Sequence, residues 1–211
     1  MKRIFSLCFI ALFISCNSTD DSSDIQNEEP NFYALKVGNS WVFKSYKYNI
    51  NSELYEDTGV IDSVSIIGTE ELNSNTYFKF RRWTTGNEQN ISLCYPNGEH
   101  FELLRDSIGY LVSSTGGIRF INNDYNDILM NSQNWGDQYY QLQNDTFQVA
   151  TDAGTFDCLM VSHFVLSGDE VLPGKNSYYY VDGIGKVFEK ISFVSNPIPT
   201  IERRLDSYVI Q

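Results

Sequence analysis

The residues able to do acid–base, nucleophilic or metal chemistry are few. His100 and His163 are the two histidines of the chain, so a zinc site would have to complete its shell with carboxylates. In Glu99-His100-Phe101-Glu102 the two-residue period of a strand puts His100 and Glu102 on one face. A polar hairpin arm carries the same pattern, and no metal is assigned there. His163, between Ser162 and Phe164, has the setting of a core or rim histidine. Asp124, Asn126 and Asp127 bring oxygens together without the glycine and distal glutamate of a calcium loop, and read as a solvated loop. The chain has no Gly-x-Ser-x-Gly, His-Glu-x-x-His, Cys-x-x-Cys or Gly-x-Gly-x-x-Gly. Gly174-Lys175-Asn176-Ser177 lacks the upstream glycine of a phosphate loop, and Asp169 stands in its place. No catalytic residue, metal ligand or cofactor is therefore assigned. Two carboxylates converging from separate strands, as glycoside hydrolysis uses, would leave no spacing to find, so a hydrolase stays among the readings.

Cys94 and Cys158 both fall in expected strands. In an oxidising compartment they are candidates for a disulfide, which would close a loop of about 65 residues and stabilise by ~4 kcal/mol on chain-entropy arithmetic. Buried free thiols are the alternative, and a catalytic thiol a third. Trp41, Trp83 and Trp135, with 14 Tyr and 14 Phe, could stack a ligand or line an apolar concavity, but strand cores use the same residue types and most are assigned to the core. Arg81-Arg82 and Arg203-Arg204 read as exposed strand faces that offset local acid.

The N-terminus supplies an address. Met1-Lys2-Arg3 precedes the apolar run Ile4 to Ile14, so residues 1–15 read as a signal peptide. Phe13-Ile14-Ser15-Cys16 resembles the lipobox of bacterial lipoproteins, which implies that the Cys16 thiol takes a diacylglycerol and becomes the mature N-terminus. Each buried CH₂ contributes about 0.8 kcal/mol, so several acyl chains hold firmly and the membrane becomes a partner through Cys16. Residues 16–31 then read as the lipidated cysteine and a disordered tether: after Cys16 come five carboxylates, no Lys or Arg, and Ile25 as the single large apolar residue. Asp20, Asp21 and Asp24 resemble the surface-export signals of Bacteroidota lipoproteins, which implies an outer-membrane lipoprotein displayed at the cell surface. The whole chain has 15 bases against 27 acids; losing Lys2 and Arg3 leaves 13 against 27, a net charge of -14. With no basic cluster to displace counterions, nucleic acid is excluded as a partner.

From residue 32 to 211 the chain reads as one β domain. Strands are expected at 40–48, 60–67, 77–83, 91–95, 100–104, 109–113, 118–121, 139–150, 155–166, 177–181, 186–194 and 201–210, from alternating apolar and β-branched or aromatic residues between turn signals. Pro96-Asn97-Gly98 is expected to turn a hairpin between 91–95 and 100–104. A helical turn is allowed at 32–35 or 123–130. The fold class is all-β, an antiparallel meander forming a curved sheet, a half-barrel or a sandwich, with at most short helices.

Three stretches carry a further resemblance. Ala34-Leu35-Lys36-Val37-Gly38-Asn39-Ser40-Trp41, then Ala153-Gly154-Thr155-Phe156-Asp157-Cys158, then Tyr179-Tyr180-Val181-Asp182-Gly183-Ile184-Gly185-Lys186-Val187, are similar to the VGN-x-W, AGTF-x-C and GIG-x-V motifs of uncharacterised Bacteroidota envelope lipoproteins. The resemblance implies a curved antiparallel sheet like the half-barrel of lipoprotein carriers such as LolA, and no chemistry. Three functions follow as expectations. One is a lipid-anchored, non-catalytic binding module for a glycan, peptide or apolar molecule. The second is a structural or assembly subunit of a surface complex, and the third the hydrolase with scattered acids.

Overall fold

A computed structural model describes residues 31–211; the expected signal peptide at 1–15, Cys16 and the expected tether up to residue 30 lie outside the described residues. Fourteen strands follow one another in the chain: β1 (Ser40–Asn49), β2 (Leu54–Leu72), β3 (Asn75–Thr85), β4 (Gly98–Ser107), β5 (Tyr110–Ser113), β6 (Ile118–Ile121), β7 (Ile128–Gln133), β8 (Gly136–Leu142), β9 (Phe147–Thr151), β10 (Gly154–Ser167), β11 (Glu170–Val171), β12 (Asn176–Val181), β13 (Gly185–Ile191) and β14 (Ile201–Val209). The sheet order is β6-β5-β4-β3-β2-β1-β14-β13-β12-β10-β8-β7, every pair antiparallel, with β9 and β11 attached to β10 beside this path. This is a meander bent until its last strand, β14, pairs with its first, β1. The result is a barrel that is closed except between β6 and β7. Closure removes most of the exposed edges that an open sheet would offer.

Strand period explains the inward set. On β1, Trp41, Phe43 and Ser45 are buried while Val42, Lys44 and Tyr46 are less so; on β2, Val60, Asp62, Val64 and Ile66 form the buried row. One core cluster joins Trp41, Phe43, Val64, Ile66, Val187 and Leu205 around the β1–β14 closure. A second gathers Tyr33, Leu111, Phe120, Tyr140, Val161 and Tyr180, and Ile128 and Met130 of β7 pack on it. That second cluster seals the seam where β6 and β7 make no ladder: the Phe120 and Tyr180 rings stack with centroids 4.1 Å apart.

The motif residues are turn and core pieces. Asn39 is buried, its amide donating to the Ala34 carbonyl at 2.7 Å and its oxygen accepting from the Gln211 backbone N–H at 2.8 Å, so it ties both ends of the domain together. Trp41 Nε1 donates to the Ile184 carbonyl at 2.8 Å, which joins the first motif to the third. Gly185 has φ +85°, and a Cβ there would stand 3.2 Å from the Tyr33 carbonyl oxygen, so the β12–β13 turn needs glycine to let residue 33 approach.

Several expectations change. The strand expected at 139–150 is two, β8 and β9, with residues 143–146 between them outside either. Residues 91–95 are loop, not strand, so Pro96-Asn97-Gly98 leads into β4 without turning a hairpin. Asn87 is buried and replaces ladder bonds with side-chain ones: its amide donates to the Tyr95 carbonyl at 2.8 Å and its oxygen accepts from the Ile91 N–H at 2.7 Å. Asn90 and Leu93 also have positive φ, which no strand sustains. Neither proposed helical turn forms: residues 32–35 make a tight turn and 128–130 begin β7, and the described residues contain no helix.

Candidate functional site

The barrel encloses a partly open cavity of about 960 Å³. Its apolar wall includes Trp41, Phe43, Phe80, Leu104, Leu111 and Tyr180. Trp41 stacks on Phe80 with centroids 6.1 Å apart. A cavity of this size is within the range that takes an organic molecule, and apolar walls with a few placed polar groups are the usual composition of such sites.

The polar part of the interior is a chain of ion pairs. Asp62 on β2 is 1 % exposed; its Oδ2 accepts from Arg82 Nη1 at 2.8 Å and its Oδ1 from Thr84 Oγ1 at 2.5 Å. Arg203 on β14 is 4 % exposed and donates through Nη1 to Glu189 Oε1 and through Nη2 to the Leu93 carbonyl. Its Nε lies 3.6 Å from Asp62 Oδ2, beyond hydrogen-bond length, and is a buried donor without a partner. Glu189 Oε2 accepts from Lys186 Nζ at 2.7 Å. The Tyr95 ring lies against two of these cations, with Arg82 Cζ 4.2 Å and Arg203 Cζ 5.2 Å from its centroid, a cation–π arrangement that also fixes the β3–β4 loop. Burial works against the charge of Glu189, but Lys186 and Arg203 outweigh it and hold the carboxyl far below its ordinary range. Burial likewise opposes the charge on Arg203, and Glu189 and Asp62 outweigh it in turn.

The sign of the interior is the reverse of the molecule's. Residues 32–211 have 13 bases against 22 acids. The cavity is lined by Lys79, Arg82, Arg119, Lys186 and Arg203 against Glu70, Glu102 and Glu189; with Asp62 behind them this is five cations to four anions. Glu70 pairs with Lys79 at 2.6 Å and Glu102 with Arg119 at 2.5 Å, which leaves Arg82, Arg203 and Lys186 to share Asp62 and Glu189. Tyr140, Tyr178 and Tyr180 also line the cavity as neutral hydroxyls, because burial, the largest cause in each, pushes them up.

The residues singled out from sequence distribute as follows. Trp41 lines the cavity, whereas Trp83 and Trp135 are 45 % and 48 % exposed. His100 and Glu102 do share a face and both reach the cavity, but His100 Nε2 is 2.8 Å from the Pro96 carbonyl oxygen and Glu102 is held by Arg119. Among the described residues no three His, Cys, Asp or Glu side chains gather as a metal shell would require. His163 is half buried beside Tyr140, and burial lowers its pKa. Asp124 accepts from the Tyr110 hydroxyl and from Asn126, so that cluster fastens the segment linking β6 to β7. Cys94 and Cys158 are free thiols. Cys94 stands half buried beside Ser45 and Arg203, and Cys158 is buried in the first core cluster with its Sγ 3.7 Å from the Phe156 carbonyl oxygen. The two arginine pairs are not both-exposed faces: Arg203 is interior and Arg204 pairs outside with Glu202 at 2.6 Å, while Arg82 points in and Arg81 is exposed. Alternation within a strand held the signal for this, since of two successive residues one must face the barrel interior.

No family model and no curated protein matches the chain. Two solved structures are similar to it. One, with TM-score 0.53 and 11% identity over 86% of this chain and 100% of the other, is a protein of Bacteroides fragilis assigned as exported and with a YmcC-like fold. The other, with TM-score 0.44 and 16% identity over 85% of this chain and 99% of its own, is a protein of Parabacteroides distasonis assigned as a lipoprotein. The first likeness is one of fold.

Proposed function

We propose that this protein is a lipid-anchored lipoprotein of the bacterial cell envelope, exported by residues 1–15 and tethered through Cys16, whose barrel is a non-catalytic binding module. The single observation that carries the binding reading is the cavity of about 960 Å³ inside a barrel with an aromatic wall. The envelope address is supported by the signal-like residues 1–15 and the lipobox-like run ending at Cys16, and an exported protein of Bacteroides fragilis shares the fold. The interior carboxylates favour binding over hydrolysis. A glycosidase sets a carboxyl that keeps its proton at working pH opposite a second one, whereas here Glu189 is driven the opposite way and Asp62, Glu70 and Glu102 are each engaged by a basic side chain, Arg82, Lys79 and Arg119.

The experiment has two arms. Intact mass and cell fractionation of the native protein should show acyl chains that vanish, with release from the membrane, in Cys16→Ala. Titration of that unlipidated variant with N-phenyl-1-naphthylamine, a neutral apolar fluorophore, should give saturable binding at one site per chain. Unlipidated native material would overturn the anchor, and the absence of a saturable site for this neutral probe and for charged amphiphiles alike would overturn the binding module.

A further inference from the structure

Buried charges persist when they are paired, because an unpaired ion loses several kcal/mol of hydration. The interior network departs from that rule by one unit. Arg82, Arg203 and Lys186 carry three positive charges, and Asp62 and Glu189 return two. The excess cation is not at the surface: side-chain exposures are 15 % for Arg82, 21 % for Lys186 and 4 % for Arg203. All three line the cavity. Donor capacity is in excess too. Lys186 Nζ has three N–H groups and is bonded to Glu189, Arg82 uses Nη1 on Asp62, and Arg203 Nε has no hydrogen bond. The protonated hydroxyls of Tyr140, Tyr178 and Tyr180 add donors rather than negative charge. Next to this donor-rich end lies the aromatic wall, since Lys186 Nζ sits 5.4 Å from the centroid of the Phe43 ring and Trp41 and Phe80 stack nearby.

We infer that the ligand of the cavity is an organic anion with an apolar body: a carboxylate or similar oxyanion placed among Lys186, Arg82 and Arg203, and a hydrocarbon or aromatic portion against Trp41, Phe43 and Phe80. This rests on the binding-module reading and gives its ligand a class. One added negative charge completes the interior ion pairing, and the low-dielectric wall strengthens its attraction over what the same pair would have in water. The negative exterior does not oppose this at close range, because at physiological salt surface charges are screened over about 8 Å. A neutral molecule of the same shape would leave the third cation unpaired, and a cation would meet it head-on. Selection by charge sign is therefore built into the site.

The test uses the full chain carrying Cys16→Ala, with Trp83→Phe and Trp135→Phe so that cavity-lining Trp41 is the fluorescent reporter. Decanoate, decanol and decylammonium are titrated separately, having the same tail and three different head groups. Decanoate should bind at least about tenfold more tightly than decanol, as expected for charge-assisted hydrogen bonds. Decylammonium should be weakest. Lys186→Gln should weaken decanoate by about tenfold and leave decanol unchanged, with Lys186→Arg restoring much of the difference. Because Lys186→Gln could disturb Glu189, its unfolding midpoint is measured alongside. If that midpoint falls, the three-ligand order in the parent protein decides. Equal affinity for decanoate and decanol, or preference for decylammonium, overturns the inference while the binding module stands. Binding of none of the three, together with no saturable naphthylamine site, removes both.

Discussion

Replacement of Arg203 by Met tests how the interior network holds the barrel together. Arg203 occupies β14 opposite Ser45 of β1, at the closure, and one guanidinium reaches Glu189, the Leu93 carbonyl and the neighbourhood of Asp62 while lying over Tyr95. Met preserves most of the volume, so a cavity term is small. What is lost is a set of hydrogen bonds rather than the last counter-ion of any group, because Asp62 keeps Arg82 and Glu189 keeps Lys186. The charge-assisted bond to Glu189 is worth about 1.5–3 kcal/mol, and the Leu93 carbonyl loses its donor at a cost of about 1–3 kcal/mol. A total near 4 kcal/mol follows, and for a domain of this size each kcal/mol lowers Tm by about 2–4 °C, so the fall should be roughly 8–16 °C. The assay is urea and thermal unfolding followed by far-ultraviolet circular dichroism. Arg203→Lys should recover little, since a point charge cannot serve three partners in a plane. The adjacent Arg204→Met is the comparison: its side chain is 32 % exposed over the Tyr46 ring, and its partner Glu202, though only 7 % exposed, keeps Lys190 at 3.5 Å, so its loss should cost about 1–2 kcal/mol, well below that at 203. Equal costs at 203 and 204, or a loss below about 1 kcal/mol at 203, would refute the interior placement of the network.

Acid should act through Glu189. Its folded pKa is depressed below the ordinary 4.5, so its contribution is present above that value and is lost as pH falls through the folded one. Urea midpoints of the parent protein should therefore drop on acidification below pH 4.5, and Glu189→Gln, weaker at neutral pH, should show a shallower drop. Gly86→Ala should lower stability by about 1–3 kcal/mol in the same unfolding assay, because residue 86 has φ +81° and a Cβ would lie 2.0 Å from the Gly59 carbonyl oxygen. The cysteines should be inert. Burial pushes the Cys158 thiol up to about 11 and raises that of Cys94, so native protein should resist iodoacetamide at neutral pH and react with two equivalents only after unfolding. Intact mass should not change on reduction; a gain of two hydrogens would show a bridge between them.

The fold was largely legible because a half-buried strand writes its pattern with a period of two. Val60, Asp62, Val64 and Ile66 align on one face in the sequence and on the barrel interior in the structure. The failures have local causes. Asn87 captures backbone groups that the β-prone residues 91–95 would have offered to a ladder, and no propensity scale contains that competition. β7 was hidden because its burial is shallow and Asn131 and Ser132 are poor strand formers. The site was harder to read. A carboxylate in an otherwise apolar row, Asp62, was visible, and so were two Arg pairs; the β13–β14 pair sets Arg203 beside Glu189, but only the β1–β14 closure sets it beside Ser45 and brings Asp62 near. That closure joins residues near the two ends of the domain, a contact on which local sequence is silent.

If the barrel is hollow to hold a small organic anion, that molecule should travel with the protein. Native mass spectrometry of the protein isolated from its own envelope, without added ligand, should show a population heavier than the lipoprotein by one discrete organic molecule, released on unfolding, detected as an anion and reduced in Lys186→Gln. A single species with no retained molecule, from material that also fails to take up decanoate, would refute it.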